Sequence, residues 1–583
     1  MQMNSGGSAP EKRPQLSAAF AASRGAFASV GVFSFFTNLL MLTGPLYMLQ
    51  VYDRVLTSGS IPTLIALSVL VFMLYAFMGI LEFIRTRIMV RIGVQLDERL
   101  GEKAFDAVQR HAIKRTPNVG AQPVRDLDVI RKFVSGPGPL AFFDTPWMPI
   151  YLGVIFSLHP WLGYFALTSA IILFTYALLN EAITRKPTAQ ANETTMAANA
   201  WTEESRRNAE VIGAMGMSEA IRRRWQELHN VALDDGTHAS DRAGTIATLS
   251  KVTRMILQSG MLGLGAYLAV LQEISPGTMI AGTIIMSRAL APVDQAINQW
   301  RAFLEARKSY GRLKLVLDGG PEEEQPMELP EPTGRISVEN LMLSIPGVEK
   351  PLLQGINFVL ESGEALGVLG PSAAGKSTLA RALVGVWPPT RGDVRLDGAL
   401  LEQWNDDQIG KSIGYLPQNV ELFSATIEQN IARFQPDASP EKVVEAAKMA
   451  DVHEMILRLP DGYGTQIGEG GAMLSAGQRQ RVGLARALYG NPVFVVLDEP
   501  NSNLDAEGEA AVITAINSMK KMGASVVVIA HRPSAISSVD KIVFIKEGTQ
   551  LAFGPRDEIL DKILKSNAPK SPNTPKNKEN HDA

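Results

Sequence analysis

Long apolar stretches almost free of charge constrain this chain more than any other feature of its sequence. Residues 27–52 and 61–81 contain no Asp, Glu, Lys or Arg, and from 145 to 180 the only Asp, Glu, Lys, Arg or His is His159. A helix needs about 20 such residues to cross a bilayer. The third stretch breaks at His159-Pro160-Trp161, which predicts two spans joined by a short turn. Residues 255–272 predict a fifth span, and 274–287 a sixth before Arg288 and Asp294. For the sixth, an amphipathic segment at the membrane edge is the alternative, because a run this short need not span.

The loops orient these spans. Residues 82–138 carry 11 Lys/Arg and 181–250 carry eight, with Lys12, Arg13 and Arg24 ahead of the first span. The opposite side has Arg54 alone. By the positive-inside rule the N-terminus, both long loops and the C-terminal half are cytoplasmic. No small-residue cleavage site follows a short apolar core, so the first span reads as retained. The long loops are rich in Ala, Glu, Arg and Gln, which predicts helical struts continuing the spans. The glycines at 205–217 suggest the tip of one strut.

The whole chain, 583 residues with 56 Lys+Arg against 59 Asp+Glu and 46% hydrophobic, averages this apolar part with an ordinary soluble one. Near-neutral charge argues against a nucleic-acid partner. With no cysteine, disulfides, Fe–S clusters, thiolate zinc sites and a cysteine nucleophile are excluded. The expected organisation is a disordered cytoplasmic tail at 1–26 and a helical membrane domain at 27–311. An acidic Pro-rich linker at 312–334, an α/β domain at 335–560 and a disordered polar tail at 561–583 would follow.

The α/β part carries nucleotide chemistry. Gly370, Pro371, Ser372, Ala373, Ala374, Gly375, Lys376, Ser377 and Thr378 fit G-x-x-x-x-G-K-[ST], between a strand-like and a helix-like run. Such a loop presents backbone N–H groups to phosphates at a helix N-terminus; Lys376 would reach the β/γ-phosphates and Ser377 would ligate Mg²⁺. A chance Gly-rich turn is the plainer alternative. The apolar run Phe494–Leu497 leads into Asp498-Glu499. Asp498 would hold Mg²⁺ and Glu499 would act as general base. Alone, that pair would read as a strand end in solvent.

Leu474-Ser475-Ala476-Gly477-Gln478, ahead of Asp498, resembles the signature motif of ATP-binding-cassette (ABC) ATPases. The resemblance implies an ABC exporter fold, a six-span helical transmembrane domain followed by an α/β P-loop domain. It also implies roles for further residues. Gln418 resembles the Q-loop glutamine at Mg²⁺ and the attacking water. Asn501 to Asp505 resembles the D-loop, His531 the switch histidine, and Glu469 the exporter loop before the signature. Ser475, Gly477 and Gln478 of one subunit would meet nucleotide held by the other, with Asp505 communicating between them, so a homodimer with two composite sites is implied. Two positions depart from the family pattern. Ala476 replaces the signature's first glycine, and Leu343-Ser344-Ile345-Pro346 lacks the adenine-stacking aromatic.

Asp144-Thr-Pro-Trp147-Met-Pro149, Val51-Tyr-Asp53-Arg54-Val and Gly414-Tyr-Leu-Pro-Gln-Asn-Val-Glu-Leu-Phe423 narrow the likeness to type I secretion exporters of the PrtD-like branch, from about residue 25 to 560. In that branch the adenine aromatic is also missing. The resemblance implies ATP-driven export of unfolded polypeptides carrying a C-terminal signal. It implies a location in the bacterial inner membrane beside a periplasmic adaptor and a TolC-like outer-membrane channel. No peptidase-like domain precedes the first span, so cargo processing is not expected. An exporter of lipid or small hydrophobic molecules, and a scaffold that binds ATP without using it, are the alternatives. Arg288, Asp294 and Asp144 are candidate pathway residues, because ionisable groups in spans usually face protein or a water-filled cavity, with an interfacial or helix-pairing role the equal alternative for Asp144 and Asp294. His159 reads as interfacial.

Overall fold

The computed structural model describes residues 15–113, 121–318, 328–344, 350–530 and 536–567. It divides into two compact units, 1–321 and 322–583.

The first unit is helical. Arg24–Leu40, Thr43–Gln50, a π-helical turn at Val51–Val55 and Leu56–Ser58 follow one another almost without a break. Ile61–Ile113, Pro160–Arg207 and Ser218–Val270 hold 53, 48 and 53 residues. At 1.5 Å per residue each is about 70–80 Å long, more than twice the hydrocarbon thickness, long enough to extend beyond a membrane as a strut. By length and composition, Arg24–Ser58, Ile61–Ile113 and Pro160–Arg207 can cross a membrane among the described residues. Gly138–Asp144 and Trp147–Leu158, bent by 44°, make a fourth if counted as one span. All but two residues of each stretch expected for spans five and six lie within Ser218–Val270 and Pro276–Asp318.

The struts pack through small residues. Ala191 and Ala198 are buried on one helix and Ala232 and Ala239 on its antiparallel neighbour, each pair one heptad apart, which lets the backbones approach closely. A short helix, Ala209–Ala214, and Gly216 at φ +66° turn the chain between them. The 205–217 segment is thus the strut tip.

Three polar assignments made from composition need correction. Gln15–Ala22, expected as disordered tail, is helical with Leu16 and Ala19 buried. Residues 312–318, expected as linker, finish the helix Pro276–Asp318 and bury Leu313 and Leu317 in the same cluster. Arg312 in that segment donates to both oxygens of buried Asp126, at 2.9 and 2.5 Å. Residues 561–567, expected as tail, close the helix Arg556–Asn567. Amphipathic spacing outweighed polar content in the first two. Residues 1–14 and 568–583 lie outside the described residues.

Among the described residues the second unit has ten strands: β1 (Ile336–Leu343), β2 (Leu353–Leu360), β3 (Ala365–Leu369), β4 (Arg391–Leu396), β5 (Ala399–Leu400), β6 (Ile413–Leu416), β7 (Phe494–Asp498), β8 (Ser525–Ile529), β9 (Lys541–Lys546) and β10 (Thr549–Pro555). Their order is β5-β4-β1-β2-β10-β9-β3-β8-β7-β6, with β9, β3, β8, β7 and β6 mutually parallel. β7 sends Phe494 and Val496 into one core and Val495 and Leu497 into the other. A strand buried on both faces reads as an unbroken apolar run, the pattern of an α/β sheet.

Arg433 ties the outer strand to the helices. Its guanidinium donates to the carbonyls of Gly410, Ile413, Arg486 and Ala487 at 2.7–3.1 Å, and burial lowers its pKa to about 10. Arg433→Met leaves four acceptors without this donor. At ~1–3 kcal/mol per unsatisfied buried group, partly relieved by water, a loss of ~3 kcal/mol is expected in thermal or denaturant unfolding of the ATPase transition. A loss below ~1 kcal/mol would contradict the role.

Candidate functional site

Parallel strands release their C-terminal ends along one edge, and this topology assembles the site. In register, Val368 of β3 pairs with Ile529 of β8, Ile529 with Asp498 of β7, and Leu497 with Leu416 of β6. One or two residues further, these strands deliver Gly370, Glu499 and Gln418 to the same side; His531, two residues after β8, lies outside the described residues.

Gly370 to Gly375 forms the loop, and the helix Lys376–Leu383 starts directly after it. Gly370 has no room for a side chain, since a Cβ would lie 2.1 Å from the Ile545 carbonyl oxygen. Ala373 takes φ +62°, a left-handed turn uncommon for a residue with Cβ. Pro371, Ser372 and Ala373 are exposed, and Ala374 is buried beneath them. Lys376 Nζ donates to the carbonyls of Gly370 and Pro371 at 2.9 and 2.8 Å, folded across its own loop. Burial lowers its pKa, against the pull of Glu499 and Asp498. Ser377 and Thr378 occupy the first turn of the helix, where unpaired N–H groups favour phosphate.

Asp498 is buried and its Oδ1 has no hydrogen-bond partner. Burial raises its pKa, while a hydrogen bond with the Ser377 side chain opposes the rise. A buried carboxylate oxygen without a partner, next to a hydroxyl, suits a hard cation. Among the described residues no three His, Asp or Glu side chains cluster as a metal cage. That donor set fits Mg²⁺, which is bound by one or two protein oxygens, waters and phosphates. Glu499 takes φ +52° and its backbone N–H donates to Ile529 O at 3.0 Å. A left-handed non-glycine residue costs of order 1 kcal/mol and is typically held so at functional sites. Gln418 lies exposed on the loop after β6.

Ser475 caps the helix Ala476–Leu488. Its Oγ accepts from Gln478 N at 3.2 Å, and its own N–H donates to Gln478 Oε1 at 2.8 Å. This capping box gives Gln478 a structural task, with Ser475 left exposed at the surface. A Cβ on Gly477 would lie 2.9 Å from Asn503 O, so the glycine lets the signature press against the segment after Glu499. Asp505 caps Ala506–Lys521, accepting from Gly508 N at 2.9 Å and from Arg481 Nη2 at 3.1 Å, and these hold its pKa down.

Sequence reasoning missed Gln480. It is buried, donates to Glu499 O at 3.0 Å and accepts from Asn503 N at 3.3 Å, fixing its helix to the segment after β7. A glutamine one turn inside an apolar helix face was the available signal. The backbone of Glu469 forms a short 3₁₀ turn, Glu469–Gly471. Ile345, where the adenine aromatic is absent, lies outside the described residues.

The membrane candidates separate. Asp144 Oδ1 accepts from Arg85 Nη1 at 2.9 Å and from Asn38 Nδ2 at 2.7 Å; Arg85 also donates to Ser34 Oγ, and Tyr151 OH to Asn38 O at 2.7 Å. This buried network joins the first three spans, so Asp144 pairs helices. Asp294 Oδ2 lies 2.8 Å from Arg254 Nη1. Arg288 is exposed, makes no ion pair among the described residues, and lines a cavity of about 390 Å³ beside Arg85 and Asp144. His159 caps the helix Pro160–Arg207, and its Nε2 lies 3.1 Å from Glu273 Oε2.

Comparison with known proteins agrees with this chemistry. Residues 353–502 match the ABC transporter family model and 27–293 the ABC transporter transmembrane region. The chain is 50% identical to the type I secretion system ATP-binding protein PrsD of Rhizobium meliloti (strain 1021), over 93% of each chain. It is 30% identical to the leukotoxin translocation ATP-binding protein LktB of Mannheimia glucosida, over 91% of this chain and 75% of that one. A bacterial Atm1-family ABC exporter with ATP bound shares the fold, with a TM-score of 0.80 over 95% of this chain and all of that one at 22% identity. A membrane-embedded N-terminal region and a cytoplasmic ATPase domain make this a multi-pass inner-membrane protein that hydrolyses ATP to drive transport. The chain belongs to the ABC transporters, among the ATP-binding proteins of type I secretion.

Proposed function

We propose that two copies of this chain form a six-span inner-membrane motor that drives unfolded polypeptides out of the cell, with a periplasmic adaptor and a TolC-like channel completing the path. The observation that carries the reading is the shared strand edge that brings the phosphate loop, Asp498, Glu499 and Gln418 together. The 50% identity to a type I secretion protein supports polypeptide cargo.

Two contacts support six spans. Asp53, after the first span, accepts from Ser275 Oγ at 2.5 Å and Gly277 N at 3.0 Å, before the sixth. His159 and Glu273 likewise join the turn between spans three and four to the turn between five and six. These turns then share one side of the membrane, as the loop charges require.

At the nucleotide site, Lys376 and the loop N–H groups from Gly370 to Thr378 hold the phosphates of ATP. Ser377, Asp498 and Gln418 would hold Mg²⁺, which would supply positive charge to offset that of the phosphates. Glu499 takes the proton of the attacking water, and His531 contacts the terminal phosphate. Exposed Ser475 and half-buried Gly477 complete the site of the partner subunit, with Asp505 linking the two sites.

The trans arrangement has a direct test. Lys376→Ala and Ser475→Arg each abolish ATPase activity as homodimers. Co-expressed, they form mixed dimers with one wholly intact site, and roughly a quarter of wild-type activity returns. No recovery would contradict composite sites. Loss of named polypeptides from the medium of a deletion strain tests the cargo class.

A further inference from the structure

The helix Ile61–Ile113 leaves its charge-free window at Leu81, and the next turns alternate apolar and basic groups on an outward face. Phe83, Arg87 and Arg91 are exposed at i, i+4 and i+8, so they line up along one side. With Ile84 and Ile88 they line an open groove of about 590 Å³, closed on its other side by Ala26 at the start of the first span. Neither Arg87 nor Arg91 makes an ion pair among the described residues, whereas Arg85, two residues before Arg87, is buried against Asp144. The Arg87 guanidinium lies 5.6 Å from the centre of the Phe83 ring, which orients it along the groove.

We propose that this groove binds a glycerophospholipid with a net-negative headgroup. At 1.5 Å per residue, Arg87 sits about 9 Å beyond the charge-free window, at headgroup depth, and Arg91 is one turn further with a stem long enough to reach back. The apolar part continues the lipid-facing surface of the span, where Ile80 and Phe83 are 56% and 62% exposed. An acyl chain lies along it while two guanidinium forks meet the phosphate, a geometry lysine does not reproduce. The one carboxylate lining the groove, Glu98, stands two turns past Arg91, too far to pair with the cationic end of a zwitterionic headgroup. Charge therefore selects an anionic lipid. The inference does not depend on the transported cargo.

The test is lipid binding to the purified full-length protein by native mass spectrometry, titrating phosphatidylglycerol against phosphatidylcholine. Phosphatidylglycerol should bind at least about ten-fold more tightly than phosphatidylcholine. Arg87→Ala with Arg91→Ala should weaken it about 25-fold, five-fold for each basic group near an anionic surface. Arg222→Ala with Arg224→Ala, exposed arginines far along a cytoplasmic strut, should leave it unchanged. An unchanged melting temperature of the Arg87/Arg91 variant shows that the loss is not unfolding. Equal binding of the two lipids, equal loss in both double variants, or displacement of phosphatidylglycerol by millimolar inorganic phosphate would overturn the proposal. The last result would mark a free-phosphate site.

Discussion

Glu499→Gln should lower ATP turnover by at least about 100-fold while ATP still binds, because a general base contributes about 10²–10⁴-fold. The substitution keeps shape and removes only the proton acceptor. Glu499 is held at φ +52°, next to Asp498, with its carbonyl bonded to buried Gln480. The backbone that aims the side chain is thus fixed from two sides and should not relax. Nucleotide binding rests on Lys376 and the loop, which the change leaves intact. The check is steady-state hydrolysis beside binding of a fluorescent ATP analogue. Loss of both together would place Glu499 in binding, and normal turnover would remove it from the chemistry.

Arg85→Ala should be the most destabilising single change in the membrane unit. It leaves Asp144 partly buried without its counter-charge and strips Ser34 of its donor. Breaking a buried pair by removing one partner costs about 3–5 kcal/mol. The double variant Arg85→Met with Asp144→Asn removes both charges and should recover more than half of that loss. Thermal stability of the purified protein, compared across the single and double variants, gives the coupling. Equal stability of Arg85→Ala and wild type would mean the network does not hold the spans together.

The nucleotide site was legible because phosphate chemistry is written in contiguous residues. Gly370 to Thr378 and Asp498-Glu499 are each contiguous in sequence, and the apolar runs before them placed both at strand ends. The membrane network was not legible in that way. Ser34, Arg85 and Asp144 lie 51 and 59 residues apart, and periodicity gives the face of a helix without naming what it meets. Asp144 was visible as an intramembrane charge, but its partner Arg85 looked like the ordinary basic end of a span. Gln478 is an instructive case. Its place in the signature suggested nucleotide contact, and the same Ser475-x-x-Gln478 spacing also forms a capping box. The polar ends failed for another reason: Leu16, Ala19, Leu313 and Leu317 are sparse among polar residues, yet they pack on one another. Composition averages over such a stripe.

The central claim is that ATP hydrolysis by this chain moves polypeptides out of the cell. The most direct measurement is the extracellular protein profile of a deletion strain complemented with the wild-type chain or with Glu499→Gln. The account predicts that specific polypeptides vanish from the medium on deletion, return with the wild-type chain, and stay absent with Glu499→Gln. An unchanged profile in the deletion strain, or full recovery with Glu499→Gln, would contradict it.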